Sequence, residues 1–228
     1  MEQTPPGRFM VYAVYRATAS WFAQPKEEKS KAITEYLARF EELSGTVTVR
    51  TYSTLGMKRD GDFLLWVISP ELPALQAFFS GLRKTALTQH LEESERYLSV
   101  TRESMYTKSH KEEEVMVTVE PGKSQYLFVY PFVKSREWYL LPMETRQKLM
   151  NEHIRIGHQF PQIRINTSYS FGLDDQDFVV SFEGNEPKEF VTLVMKLRES
   201  EGSKYTVRDT PIFTCSRQPI DEILWSLG

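Results

Sequence analysis

The chain is predicted to be an α+β protein made of two tandem ferredoxin-like β-α-β-β-α-β units, and three observations predict it. Its 228 residues, 40% hydrophobic and 13% aromatic, supply core for one large domain or two small ones. The chain also repeats itself. Phe9-Met10-Val11-Tyr12, Trp21-Phe22-Ala23-Gln24-Pro25, Leu55-Gly56, Asp62-Phe63 and Leu82-Arg83 return as Tyr126-Leu127-Phe128-Val129, Trp138-Tyr139-Leu140-Leu141-Pro142, Phe171-Gly172, Asp177-Phe178 and Leu197-Arg198. The offset drifts from 117 residues at the tryptophans to 115 at the Leu-Arg pairs, as small loop-length differences produce. Finally, both copies parse into the same order of elements.

Each copy opens on an apolar run rich in strand-forming residues, Phe9 to Tyr15 and Tyr126 to Val133. A proline then stands at a helix start, where its missing N–H costs nothing. Pro25 precedes Lys26-Glu27-Glu28, with Ile33, Tyr36, Leu37 and Phe40 at apolar positions; Pro142 precedes Glu144, with Leu149, His153 and Ile156 at helical spacing. Alternation marks the next strands: Val47, Val49 and Thr51 within Thr46 to Tyr52, and Ile163, Ile165, Thr167, Tyr169 and Phe171 in the second copy. A Gly/Asp turn leads to Phe63–Ile68 or Phe178–Phe182, followed by a helix, Leu72–Arg83 or Pro187–Arg198. Tyr97–Thr101 and Ile212–Cys215 close the units. The charged, turn-rich stretch from Lys108 through Pro121-Gly122 separates them, giving domains 1–115 and 116–228. Two open sheets are expected to pack together, and a flat apolar ligand fits between a sheet face and its helices.

Composition narrows the function. With 28 Lys+Arg against 31 Asp+Glu, the formal charge of −3 gives no electrostatic reason for a nucleic-acid or anionic-membrane partner. Apolar runs such as Phe63–Ile68 fall far short of the roughly 20 residues that span a bilayer. The opening Met-Glu-Gln-Thr-Pro-Pro lacks a basic and an apolar region, so a cytoplasmic location is expected. A single cysteine, Cys215, excludes an internal disulfide and a multi-cysteine metal cluster. If a metal is present, most of its binding must therefore come from the four histidines, His90, His110, His153 and His158, or from a prosthetic group. Glycine-rich phosphate loops, HExxH-type zinc motifs and nucleophile elbows are absent.

Three groups of residues carry possible chemistry. His153 falls on the apolar stripe of its helix, away from Arg146, Lys148 and Glu152; it reads either as a core histidine bonded to backbone or as an imidazole aimed into an apolar cavity, as a haem iron needs. Tyr130 and Lys134 stand four apart on a strand, hence on one face, where a phenol beside a cation can relay a proton or lose an electron; the plain alternative is a core tyrosine and a snorkelling lysine. Asp174-Asp175 follows a glycine and reads as turn chemistry.

Tyr130-Pro131-Phe132-Val133-Lys134-Ser135-Arg136-Glu137-Trp138-Tyr139-Leu140-Leu141-Pro142, Met150-Asn151-Glu152-His153 and Gly172-Leu173-Asp174-Asp175-Gln176-Asp177-Phe178 resemble the chlorite dismutase/coproheme decarboxylase family. The resemblance spans nearly the whole chain and is most specific from 126 to 216. It implies a dimeric α+β barrel-type subunit, with a scaffold unit followed by a haem-binding unit, assembled as a homopentamer. It further implies that His153 is the proximal ligand of the haem iron and that Glu201 hydrogen-bonds that histidine. By the same resemblance Trp138 lies near the proximal face, Tyr130 is the redox-active residue beside the reacting propionate, and Lys134 is the basic residue close to it. Chlorite dismutases carry an arginine seven residues before the Gly of Gly-Leu-Asp-Asp. That position is Ile165 here, which cannot hold chlorite by charge, and alternation sends Arg164 and Asn166 to the other face. Actinobacterial-type coproheme decarboxylases have a small apolar residue there and are also similar in the spacing of His153 and Gly157. They use a distal histidine as base for peroxide, for which His110 is the counterpart. The function implied is peroxide-dependent oxidative decarboxylation of iron-coproporphyrin III to haem b, with either porphyrin as cofactor and hydrogen peroxide as co-substrate. A chlorite dismutase-like or peroxidase-like haem enzyme and a non-catalytic haem carrier or sensor are the alternatives.

Overall fold

The computed structural model describes residues 7–102, 104–106 and 122–228. They divide into two compact units, one drawn from Met1–Val100 with Thr214–Gly228, the other from Thr101–Phe213. The expected α+β, ferredoxin-like alternation of strands and helices is present in both.

In the first unit β1 (Phe9–Ala17) lies between β3 (Phe63–Ser69) and β4 (Leu91–Val100), and β2 (Thr48–Ser53) pairs with the far side of β3, all antiparallel. Short α1 (Ala19–Phe22), long α2 (Lys26–Ser44) and α3 (Leu72–Leu82) follow the strands. Helix α2 starts directly after Pro25 and carries Glu27 and Glu28 in its first turn, where carboxylates favour the helix dipole. Its buried Ala32, Ile33, Tyr36 and Phe40 join Ala13, Phe63, Leu65, Val67 and Phe78 in one core. The last segment of the chain completes that core. Ile223 and Leu224 of α7 (Ile220–Trp225) and Leu227 are buried in it, and Trp21 Nε1 donates to the Leu227 carbonyl at 3.2 Å. Just before α7, β9 (Phe213–Arg217) pairs with β2 through Ser216 and Arg217.

In the second unit β7 (Phe178–Gly184) lies between β5 (Tyr126–Lys134) and β6 (Arg164–Tyr169). The other side of β5 takes β8 (Thr206–Arg208), a strand too short for alternation to reveal in the sequence. Helices α4 (Arg136–Leu140), α5 (Met143–Gly157) and α6 (Pro187–Glu199) repeat the order of the first unit. In both units the turn before the third strand uses a glycine at φ 73°, Gly56 and Gly172, a conformation that a Cβ would strain.

The barrel expectation is corrected. Within each unit the strands form an open sheet, in the order β4-β1-β3-β2 and β6-β7-β5-β8, and neither closes on itself. Four strands are too few, since a closed interior filled by side chains takes about eight. Among the described residues no helix is long and apolar enough to cross a membrane.

Candidate functional site

Strand register decides which side chains of the second unit meet its helices. Phe128, Phe182 and Ile165 form one rung across β5, β7 and β6, and Tyr130, Val180 and Thr167 form the next. Paired residues share a face, and this face packs on α5 and α6: Phe128, Tyr130 and Phe182 are buried with Ile156, Phe160, Phe190 and Leu193. Arg164, Asn166 and Ser168 point to the opposite face, where Asn166 Nδ2 donates to the buried Glu183 carboxylate at 3.2 Å.

The helix-facing layer is sealed at one end and open at the other. Tyr130 is 7% exposed, whereas Ile165 on the same face is 40% exposed. Over this open part lies the C-terminal half of α5, with His153 half-buried and Gly157 against Ile165, so close that a Cβ at 157 would come within 3.3 Å of the Ile165 Cδ1. Burial, reinforced by the charge of Lys134, holds the His153 pKa down to about 4, so the imidazole is neutral at neutral pH and presents a lone pair. Among the described residues no three His, Cys, Asp or Glu side chains gather as a metal site, so His153 is not part of such a cluster.

Lys134 sits where the β5–β8 register shifts. Its ammonium donates to the Gly202 carbonyl at 2.7 Å, lies 3.4 Å from Thr206 Oγ1, and stands 4.8 Å from the centre of the Trp138 ring. Burial lowers its pKa to about 8, which leaves it mostly charged at neutral pH. Trp138 is buried against Tyr205 and Tyr106, at ring separations of 5.6 and 6.5 Å. Burial pushes the Tyr130 phenol well above its ordinary pKa, so its Oη keeps its proton.

The structure therefore gathers His153, Lys134 and Trp138, and places Tyr130 and Ile165 on the face beneath α5. Glu201 stands apart: it is exposed, at the start of the turn Glu201–Tyr205, and pairs with Lys204 at 2.7 Å. His110 lies outside the described residues. Asp174 is turn chemistry, its carboxylate accepting from the Asp175 amide and from Gln176. Asp177 fastens the end of β5, accepting from the Lys134 amide at 2.8 Å and the Tyr139 hydroxyl at 2.7 Å.

Gly157 was not singled out for a role by reading the sequence. The signal was in the repeat: at the 117-residue offset, His153 and Gly157 answer to Tyr36 and Phe40. Those two rings, 1% and 8% exposed, fill the space between helix and sheet in the first unit.

The chlorite dismutase family matches residues 26–218. The chain belongs to that family. This family member is 29% identical to a coproheme decarboxylase from Mycolicibacterium smegmatis over 96% of its own length and 94% of that protein. It is 27% identical to a chlorite dismutase from Ideonella dechloratans, covering 98% of this chain and 81% of the relative. Among solved structures, the chlorite dismutase from Candidatus Nitrospira defluvii in complex with imidazole superposes with a TM-score of 0.89 at 27% identity, over 98% of this chain and 96% of that one.

Proposed function

We propose that this member of the chlorite dismutase family binds an iron porphyrin under α5 of its second unit, and that it decarboxylates iron-coproporphyrin III oxidatively with hydrogen peroxide. One observation carries the reading: a neutral imidazole at His153, outside any three-ligand cluster, faces a sheet surface whose exposed distal position is the apolar Ile165 and whose buried end is the phenol of Tyr130. The residues fit such a group. His153 offers a nitrogen lone pair, and Gly157 keeps clear the volume that Phe40 fills in the other unit.

When bound, the iron porphyrin with peroxide supplies a strong oxidant. The chain's own residues bind, orient and shield. His153 would hold the metal, and because burial keeps its imidazole neutral, no proton would compete with the metal for its lone pair. Tyr130 retains its proton at neutral pH, so what its Oη can surrender is a hydrogen atom, electron and proton together. Lys134 fixes a positive charge beside Trp138 and His153. Ile165, Val180 and Phe182 line the face with hydrocarbon and exclude water. Each propionate converted to a vinyl group releases carbon dioxide, a proton and two electrons, and one hydrogen peroxide takes up those electrons with two protons to give water. The first unit serves as scaffold, and a homopentamer in the cytoplasm is the assembly this reading expects.

A second reading has its own support. The matched family and the superposing structure carry the name chlorite dismutase, and the comparisons weigh at least as heavily for chlorite decomposition as for decarboxylation. Against it stands Ile165, which brings no charge to hold chlorite; β5, β6 and β7 place no guanidinium on the helix-facing surface.

One experiment separates the readings. Protein loaded with ferric coproporphyrin is titrated with peroxide and the porphyrin is weighed by mass spectrometry, while a second sample receives chlorite. Loss of two carbon dioxide molecules, abolished in Tyr130→Phe, supports decarboxylation. Unchanged porphyrin with oxygen released from chlorite supports the second reading, and inertness in both with reversible haem exchange indicates a carrier.

A further inference from the structure

Each unit closes the end of its first strand on an aspartate at the matching position. In the first unit Asp62 Oδ2 accepts from the Ala17 amide at 2.7 Å, the Asp62 amide donates to the Tyr15 carbonyl at 2.7 Å, and the Asp62 carbonyl accepts from the Thr54 amide at 2.8 Å. The second unit repeats all of these bonds. Asp177 Oδ2 accepts from the Lys134 amide at 2.8 Å, the Asp177 amide donates to the Phe132 carbonyl at 3.2 Å, and the Asp177 carbonyl accepts from the Ser170 amide at 2.8 Å. Two side chains set these brackets apart: at the 117-residue offset Ala17 is answered by Lys134, and Phe22 by Tyr139. Each change adds a polar group, and both fall in the unit that carries His153.

The added hydroxyl goes to the bracket itself. Tyr139 Oη donates to Asp177 Oδ2 at 2.7 Å, the same oxygen that accepts from the Lys134 amide. Burial and this bond push the Tyr139 phenol above its ordinary pKa, so the proton stays on Oη and the donation persists. Phe171 meets the Tyr139 ring edge-on at 5.6 Å. Phe22, its counterpart in the first unit, has no hydroxyl and is 61% exposed. Since the first unit forms the same bracket around Asp62 without that hydroxyl, the fold does not require it. Tyr139 follows Trp138 in α4, so its bond ties the helix that carries Trp138 to the strand end that carries Lys134. The Lys134 ammonium stands 4.8 Å from the centre of the Trp138 ring, and one carboxylate oxygen thus anchors both partners of a cation–π pair. A lysine side chain has much rotamer freedom to lose, and it keeps one geometry only where its neighbours are themselves fixed.

We propose that Tyr139 is a positioning residue: its hydroxyl, acting through Asp177, holds α4 against the end of β5 and so keeps the Lys134 ammonium on the Trp138 ring. What that charge does there rests on the porphyrin reading; how it is held does not.

The test labels the full, unloaded chain sparingly with acetic anhydride and reads the modification of each lysine by peptide mass spectrometry. In Tyr139→Phe, which installs the first unit's residue, Lys134 should react several-fold faster, while the exposed Lys31 and Lys196 keep their wild-type rates and the unfolding temperature hardly moves. Ferric porphyrin titrated into the same variant should bind several-fold more weakly, as it should into Lys134→Met. Unchanged labelling of Lys134, or an equal rise at every lysine, would overturn the proposal. Faster labelling of Lys134 alone, with porphyrin affinity unchanged in both variants, would uphold the positioning role and count against the part the porphyrin reading gives to Lys134.

Discussion

Tyr36 and Phe40 in the first unit, and His153 and Gly157 in the second, occupy matching turns of matching helices. The first pair is packed: Tyr36 and Phe40 stack at 6.3 Å, and Phe40 meets Phe78 edge-on at 5.7 Å. The second pair removes two rings from the same interface and leaves one imidazole. On the facing sheet the exchange runs the other way, with Ala13 in the first unit answered by Tyr130 in the second. Under the proposed porphyrin reading, the difference teaches how a duplicated frame acquires a site. The backbone is left alone, volume is subtracted from the helix, and a few polar atoms are placed where the subtraction was made. Among the described residues, the buried cluster against the second unit's helices holds fewer side chains than the first unit's.

This contrast can be broken from either side. The largest effect is expected in the packed unit, where Phe40→Ala should cost about 3–5 kcal/mol of stability, read by chemical denaturation, because a buried ring is lost from a tight core. Gly157→Phe should weaken porphyrin binding by about tenfold to a hundredfold, the 1–3 kcal/mol that one overpacked side chain imposes, while leaving the unloaded chain folded. Acidification comes next. The His153 pKa is lowered from 6.5 to about 4 in the folded chain, so between those values the unfolded chain binds more protons. Stability should therefore fall as pH drops from about 6.5 to about 4, and His153→Phe should flatten that part of the profile. Lys134→Met, which removes the nearby charge, should raise the His153 pKa, as NMR titration would show. The smallest effect belongs to Glu201→Gln, which should leave stability unchanged because its partner Lys204 is equally exposed.

The duplication was legible in the sequence because it rests on large residues at fixed spacing, Trp21 and Trp138 above all, and on the prolines that start α2 and α5. Strand alternation also gave the faces of β6, with Asn166 turned away from Ile165. Other features leave no such trace. In the proposed site Gly157 acts through a missing side chain, which is visible only against Phe40 in the aligned repeat. The β5–β8 pairing involves three residues, fewer than any periodicity needs. Lys134 was legible as a cation on a strand, but its bond to the Gly202 carbonyl depends on a backbone turn formed 68 residues later. The barrel was an inference from resemblance, and strand order within each unit is a tertiary property that local pattern does not encode.

The central claim is that His153 in the second unit, and nothing in the first, receives the iron. Its most direct test is a spectroscopic titration of ferric porphyrin into wild type and His153→Ala, with and without added imidazole. The account predicts one porphyrin per chain for the wild type, weak binding with an altered absorption band for the variant, and recovery of the wild-type band when imidazole is supplied. Equal binding and an identical band in His153→Ala would contradict it.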